Sequence, residues 1–154
     1  MSTSSPGFRS YRRCLPHWRM EGAYYFVTWR LRREQPELQP AERELVLGAL
    51  RFHHGTKYSL HAAVVMDDHV HVLLTPLGTQ RLEEIVRAWK SFTSREMARG
   101  FRPPGSTWLP EYFDRIIRDE AELAEKLRYI RDNPRKRWPE LEEYPWLWVA
   151  GDTA

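Results

Sequence analysis

Apolar positions recur along this chain with two periods, two and about 3.6 residues, and the order in which the periods alternate predicts the fold. Residues 24–31 (YYFVTWRL) are aromatic and β-branched without Gly or Pro, and read as the first strand. Residues 32–39 are polar with Pro36 and read as a loop. Pro40 suits the first turn of a helix and Glu42 and Glu44 its N-terminal end; Leu45, Ala49 and Phe52 recur at helical spacing to about residue 53, before Gly55 stops it. Residues 60–66 and 69–75 form two further strands, joined by a tight turn at Asp67-Asp68. Residues 81–99 form the clearest helix, with Leu82, Ile85, Val86, Trp89, Phe92 and Met97 as its apolar stripe. A Pro/Gly loop (100–110) leads to a short strand at 112–117. A last helix at 119–133 carries Asp119 as N-cap and Leu123, Leu127 and Ile130 as its stripe, and Pro134 ends it. Residues 134–154, with Trp138, Tyr144, Trp146 and Trp148, read as a tail packed over the domain.

The resulting order, β-α-β-β-α-β-α, predicts an α+β protein. Its first six elements match the ferredoxin-like arrangement of a four-stranded antiparallel sheet with helices on one face. Strands one and three are central there, so the 69–75 strand sits mid-sheet, with its other face open to a site or to a further helix.

Length fits one domain, 15–154, preceded by an arm at 1–14 that is basic and expected to be disordered. Lys+Arg is 24 against Asp+Glu 21, a formal charge of +3, which alone names no partner. Lysine occurs only at 57, 90, 126 and 136, so arginine supplies most of the positive charge; arginine forks onto phosphate oxygens and stacks on bases, although a GC-rich genome has the same effect on composition. Cys14 is the only cysteine, which excludes a disulfide framework or a cysteine-based zinc site within one chain. No apolar run approaches membrane-spanning length, so no membrane partner and a cytoplasmic location are expected.

Candidate chemistry begins at His69 and His71. Positions i and i+2 of a strand share a face, so both imidazoles point one way while Val70 and Val72 point the other. Two parallel imidazoles are two-thirds of a metal site, or equally two histidines on a strand surface. On the last helix Tyr129 and Asn133 are i and i+4, and Lys126 joins their face, which borders the Leu123/Leu127/Ile130 stripe. A phenol, an amide and an ammonium clustered there suit phosphoryl chemistry. On the 81–99 helix Arg87, Lys90, Ser91, Ser94 and Arg95 make a cationic stripe, with Glu83 and Glu84 confined to the first turn; Arg87, Lys90 and Arg95 are candidate DNA-backbone contacts, joined by Arg12 and Arg13 of the arm. Trp89 and Trp108 are candidate base-stacking residues, with a core role the better reading of Trp89.

The segments LPHW (15–18), YYFVTWRL (24–31), VVMDDHVHVLL (64–74), WKSFTSRE (89–96), YFDRIIRDEAEL (112–123), YIRDNPRK (129–136) and YPW (144–146) together resemble the single-tyrosine transposases of the HUH superfamily, an IS200-like family, in their REP-associated tyrosine transposase branch. Two departures stand out. Asp68 replaces the Asn more usual before the histidines, and 135–138 replaces a small apolar stretch.

The resemblance implies roles. His69, His71 and Asn133 would be ligands of Mg²⁺ or Mn²⁺, and Tyr129 the nucleophile that attacks a single-stranded DNA phosphodiester at hairpin-forming repeats. The product would be a 5′-phosphotyrosine with release of a 3′-hydroxyl. Lys126 is the candidate for lowering the phenol's pKa or holding the leaving group. A nucleoid-associated monomer or homodimer is expected, with the tyrosine helix used within one chain or exchanged between two. Three alternatives stay open: a domesticated DNA-binding protein of the same fold that does not cleave, a zinc hydrolase built on the histidine pair, and Tyr112 in place of Tyr129.

Overall fold

The computed structural model describes residues 9–10 and 22–152. Its elements run β1 (Arg9–Ser10), β2 (Tyr25–Arg30), α1 (Pro40–Phe52), β3 (Tyr58–Val65), β4 (His69–Pro76), α2 (Leu82–Gly100), β5 (Phe113–Ile116), α3 (Glu120–Arg137) and β6 (Leu147–Val149). The ferredoxin-like α+β arrangement is present: β5-β2-β4-β3 is a four-stranded antiparallel sheet with β2 and β4 central.

The sheet is wider than four strands. β1 pairs with β5 and β6 with β3, giving the order β1-β5-β2-β4-β3-β6. Residues 9 and 10 therefore do not belong to a wholly disordered arm, and the aromatic tail does more than lie over the domain. Strand β6 was missed because three residues between bends carry too few alternations to register as a period. Arg12 and Arg13 lie outside the described residues.

Two cores flank the sheet. On one face Tyr25, Val27, Trp29, Val70, Val72 and Leu74 meet Val46 and Leu50 of α1 and Ile85, Val86 and Trp89 of α2. On the other, Phe26, Ala62, Val64 and Leu73 meet Ile130 of α3. The face predicted to be open to a site or a further helix is thus the seat of α3. A bulge between Leu60 and Ala62 keeps β3 serving both cores, because it resets the alternation of sides along that strand.

Local chemistry explains the helix starts. Pro40 opens α1 behind a capping box in which the Glu42 side chain accepts from the Gln39 N–H at 2.8 Å. The Asp119 carboxylate accepts from the Glu122 N–H at 2.8 Å and caps α3. The buried stripe of α1 is Val46, Leu47 and Leu50, with Glu42 paired to Arg102 underneath; Phe52 is exposed. Phe92 is also partly exposed, and Thr93 takes the buried place expected for it on α2.

The principal correction concerns the end of the last helix. Helix α3 does not stop at Asn133 but continues through Pro134 to Arg137. Proline within a helix forfeits a backbone bond and crowds the carbonyl four residues earlier, at a cost of about 3 kcal/mol. Tertiary contacts downstream offset that cost. Arg137 Nη2 donates to the buried Asp67 carboxylate at 2.6 Å and lies 3.6 Å from Glu37, while Trp138 stacks on Tyr144. At the other end Arg115 of β5 pairs with Glu122. Both ends of α3 are therefore tied down by ion pairs whose carboxylates are shielded from water.

His61, at the bulge, stacks on Tyr24 and shares a 2.8 Å hydrogen bond with Thr75, and burial pulls its pKa from 6.5 down to about 4. A group held neutral by the fold stabilises above its unfolded pKa and loses that stabilisation as pH falls from 6.5 towards 4, with a slope of up to about 1.4 kcal/mol per pH unit. Urea unfolding midpoints measured at pH 7.5 and pH 5 should therefore drop on acidification, and His61→Gln should reduce that drop while leaving the pH 7.5 value nearly unchanged.

Candidate active site

On the α3-facing side of the sheet, His71 of β4 is the register partner of Thr28 of β2, and Thr28 of Phe113 of β5; His69 is the partner of Arg30. The two imidazoles lie on one face, with ring centroids 4.7 Å apart. Helix α3 crosses this face and brings Tyr129 and Asn133 to it. The Tyr129 ring meets His71 edge-on at 5.2 Å between centroids and Phe26 at 5.9 Å. Asn133 Oδ1 faces His69 Nε2 at 3.4 Å. Residues 64 positions apart in sequence thus converge in a single chain.

The hydrogen-bond partners assign the ring nitrogens. Asp68 Oδ1 lies 2.6 Å from His69 Nδ1, and an ionised carboxylate only accepts, so Nδ1 carries the proton. In the neutral ring Nε2 is then a lone pair, and it points at the amide oxygen of Asn133, a second acceptor. A second ring proton, an amide turned the other way or a bound cation would each satisfy this pair, and only the last makes both of them ligands. His71 Nδ1 meets the Thr28 hydroxyl at 2.7 Å, whereas its Nε2 is buried with no hydrogen-bond partner among the described residues. Burial, reinforced by the charges of His69, Arg30, Lys126 and Lys136, pulls the His71 pKa down to about 3, so this ring is neutral at working pH. His69 Nε2, His71 Nε2 and Asn133 Oδ1 are accordingly a donor set of two nitrogens and one oxygen that fits a divalent transition ion better than Mg²⁺. Among the described residues no cluster of three His, Cys, Asp or Glu offers a conventional metal cage.

Cations ring the site. Lys126 Nζ sits 5.1 Å above the Phe26 ring, on the side expected for it. Lys136 Nζ sits 4.7 Å above the Tyr129 ring itself. Sequence reasoning missed Lys136 because it ended the helix at Pro134. Once α3 continues, 129, 133 and 136 follow the i, i+4, i+7 spacing of one face.

Other sequence candidates lie elsewhere. Tyr112 is buried in the core on the opposite side of the sheet, away from both histidines, and is no rival nucleophile. Arg87, Lys90 and Arg95 line a groove on the outer side of α2, closed by Trp108, Leu109 and Pro110, again across the sheet from Tyr129. Lys90 is not a free phosphate contact. Its ammonium donates to the carbonyls of Leu109, Pro110 and Glu111 at 2.8, 3.0 and 3.3 Å, and burial lowers its pKa from 10.5 to about 8. It closes the groove, while the guanidinium of Arg95 donates to Ser91 along its wall. Trp89 and Trp108 are both buried, their indole N–H groups donating to Tyr58 and Thr93, so neither stacks bases. No described helix is long and apolar enough to cross a membrane.

Thr28→Val removes the hydroxyl that meets His71 Nδ1 in a buried setting. The unfolding free energy should fall by about 1–3 kcal/mol, and Thr28→Ser should restore most of it; a Val variant as stable as wild type in urea would contradict this account of the histidine's support.

Comparison with known proteins agrees with the geometry. A family model described as "Transposase IS200 like" matches residues 21–133. A solved structure of a REP-associated tyrosine transposase bound to a REP hairpin superposes with a TM-score of 0.63 at 23% identity, covering 77% of this chain and 70% of that one. A candidate transposase from Deinococcus radiodurans superposes with a TM-score of 0.50 at 24% identity, covering 71% of this chain and 88% of that one. A search of curated protein sequences finds no match. At such identities the structures speak for the fold alone, but the family model spans most of the chain, and the chain belongs to the IS200-like transposase family.

Proposed function

We propose that the chain is a metal-dependent, single-stranded DNA endonuclease and strand-transferase that uses Tyr129 as its nucleophile at hairpin-forming repeat DNA. The observation that carries this reading is the edge contact of the Tyr129 and His71 rings at 5.2 Å, beside the facing pair His69 Nε2 and Asn133 Oδ1. The superposable REP-associated tyrosine transposase is bound to a REP hairpin, which supports the choice of substrate.

The Tyr129 oxygen attacks the phosphorus, a Tyr–O–P bond forms, and the P–O3′ bond breaks. The phosphate stays on the 5′ end of the downstream strand as a phosphotyrosine, and the departing O3′ takes up a proton as the phenol gives one up. The bond energy is kept in the adduct, so a 3′-hydroxyl can reverse the step and rejoin strands without a nucleotide cofactor. A free phenol has a pKa of about 10 and needs help at neutral pH. Lys136 above the ring and Lys126 over Phe26 supply positive charge where the phenolate and the phosphate both carry negative charge. The half-exposed Tyr129 leaves room for a strand to approach, while Phe26 and Ile130 hold its helix down. His69, His71 and Asn133 would hold a divalent ion, Mn²⁺ or Mg²⁺, which when bound polarises the scissile phosphate and stabilises charge on its oxygens.

The groove with Arg87 and Arg95 gives DNA a second, basic contact across the sheet from the cleavage site. A hairpin gripped there would pass its single-stranded flank around the β1–β5 edge of the sheet, since Leu109, Pro110 and Tyr112, which line the groove, run directly into β5. In this reading binding and cleavage use different faces.

Incubation with Mn²⁺ and a hairpin-bearing single strand should yield a denaturation-resistant protein–DNA adduct, absent from Tyr129→Phe and retained in Tyr112→Phe. An adduct that survives Tyr129→Phe overturns the assignment of the nucleophile, and binding without any adduct favours a domesticated DNA-binding protein. Because Tyr129 meets histidines of its own chain, mixing Tyr129→Phe with His71→Ala should not restore the adduct; restoration would mean that α3 is exchanged between two chains.

A further inference from the structure

The two imidazoles are not supported alike. His71 rests on a neutral hydroxyl, whereas His69 rests on a carboxylate. We propose that Asp68 is a positioning residue that fixes the His69 ring with its proton on Nδ1 and Nε2 turned to Asn133 Oδ1, giving the site one carboxylate-backed ligand.

Three observations carry this inference. First, the carboxylate stands on locked backbone. The Asp68 carbonyl accepts from the Leu31 N–H at 3.0 Å, and the next residue closes the turn, the His69 carbonyl accepting from the Met66 N–H at 2.8 Å. Asp68 is thus held to both β2 and β4 before its side chain makes any contact. Second, its two oxygens are divided between partners. Oδ1 takes the His69 Nδ1–H at 2.6 Å, and Oδ2 lies 4.0 Å from Arg30 Nη1, beyond hydrogen-bond reach, so the arginine does not compete for the oxygen that meets the ring. Third, the bond is directional in only one sense. A carboxylate accepts and does not donate, whereas the hydroxyl under His71 does both, so only at His69 does the partner dictate the tautomer.

A ligating histidine whose other nitrogen donates to a carboxylate is a stronger and better oriented ligand, and losing such a partner costs about 10–100-fold in metal affinity. An asparagine at this position would keep an acceptor near the ring but withdraw the charge. The Asp found here, where the resemblance noted above leads one to expect Asn, makes His69 the more electron-rich of the pair. This rests on the reading of the histidines as ion ligands, but the tautomer itself does not.

The test uses the full chain. Long-range proton–nitrogen spectra of the metal-free protein should report His69 with Nδ1 protonated and Nε2 bare, and Asp68→Ala should spread the ring over both tautomers. Titration with Mn²⁺ alone, followed by its electron paramagnetic resonance signal, should give an affinity about 10–100-fold weaker in Asp68→Ala, with Asp68→Asn between that variant and wild type. Wild-type tautomer and wild-type Mn²⁺ affinity in Asp68→Ala would overturn the proposal; should the alanine variant not fold, an Asp68→Asn protein that binds Mn²⁺ as wild type does would overturn it too. If wild type takes up no Mn²⁺ while Asp68→Ala still scrambles the tautomer, the positioning role stands and the ion must be removed from the function proposed above.

Discussion

The structure depends on how helix α3 is held across the sheet. A helix laid on a sheet face through apolar contact alone can slide or roll, and here that contact is Ile130, flanked by the partly buried Leu123 and Leu127, against Phe26, Ala62, Val64 and Leu73. Direction comes from the ends. Arg115 pairs with Glu122 at the start, and Arg137 with Asp67 at the finish, in each case with the carboxylate shielded from water. Breaking a shielded pair on one side leaves an uncompensated charge, which is far costlier than the pair's net worth, so such pairs fix geometry better than they add stability. The consequence is that Tyr129 and Asn133 face the histidines in a fixed register.

The hairpin turn ahead of β4 serves both sides of this arrangement. Asp67 receives the end of the tyrosine helix, and Asp68, the next residue, supports the first histidine. Two adjacent carboxylates therefore set the relation between the proposed nucleophile and the proposed ligands. This turn is also bound to β2 through Leu31. Errors in its backbone would be passed to helix and imidazole alike, in keeping with its closed hydrogen bonding.

Much of the molecule was legible in the sequence, for identifiable reasons. Strands β2 to β5 and the three helices are long and amphipathic enough for their periods to be read, and Pro40, Gly55 and Asp119 mark ends through local stereochemistry. The i, i+2 histidines and the i, i+4 pair Tyr129/Asn133 were found because spacing within one element fixes a face. What escaped depends on contacts between distant residues. Pro134 was read as a stop because its local cost is real, and only the bond from Arg137 to Asp67, 70 residues before it, explains why the helix passes the proline. Lys136 was lost with that last turn. Lys90 was read as a surface cation because three carbonyl acceptors in a loop leave no trace in sequence, and Phe52 and Phe92 were read as core because periodicity does not reveal which edge of a stripe is covered.

The account requires that the phenol of α3 and the imidazole of β4 touch within a single chain. In a sample of isotopically labelled chain diluted into an excess of unlabelled chain, nuclear Overhauser contacts between the Tyr129 and His71 ring protons measure this directly. The account predicts a strong contact that persists on dilution, as ring centroids 5.2 Å apart demand. Its absence, or its loss as unlabelled chain is added, would contradict the site described here.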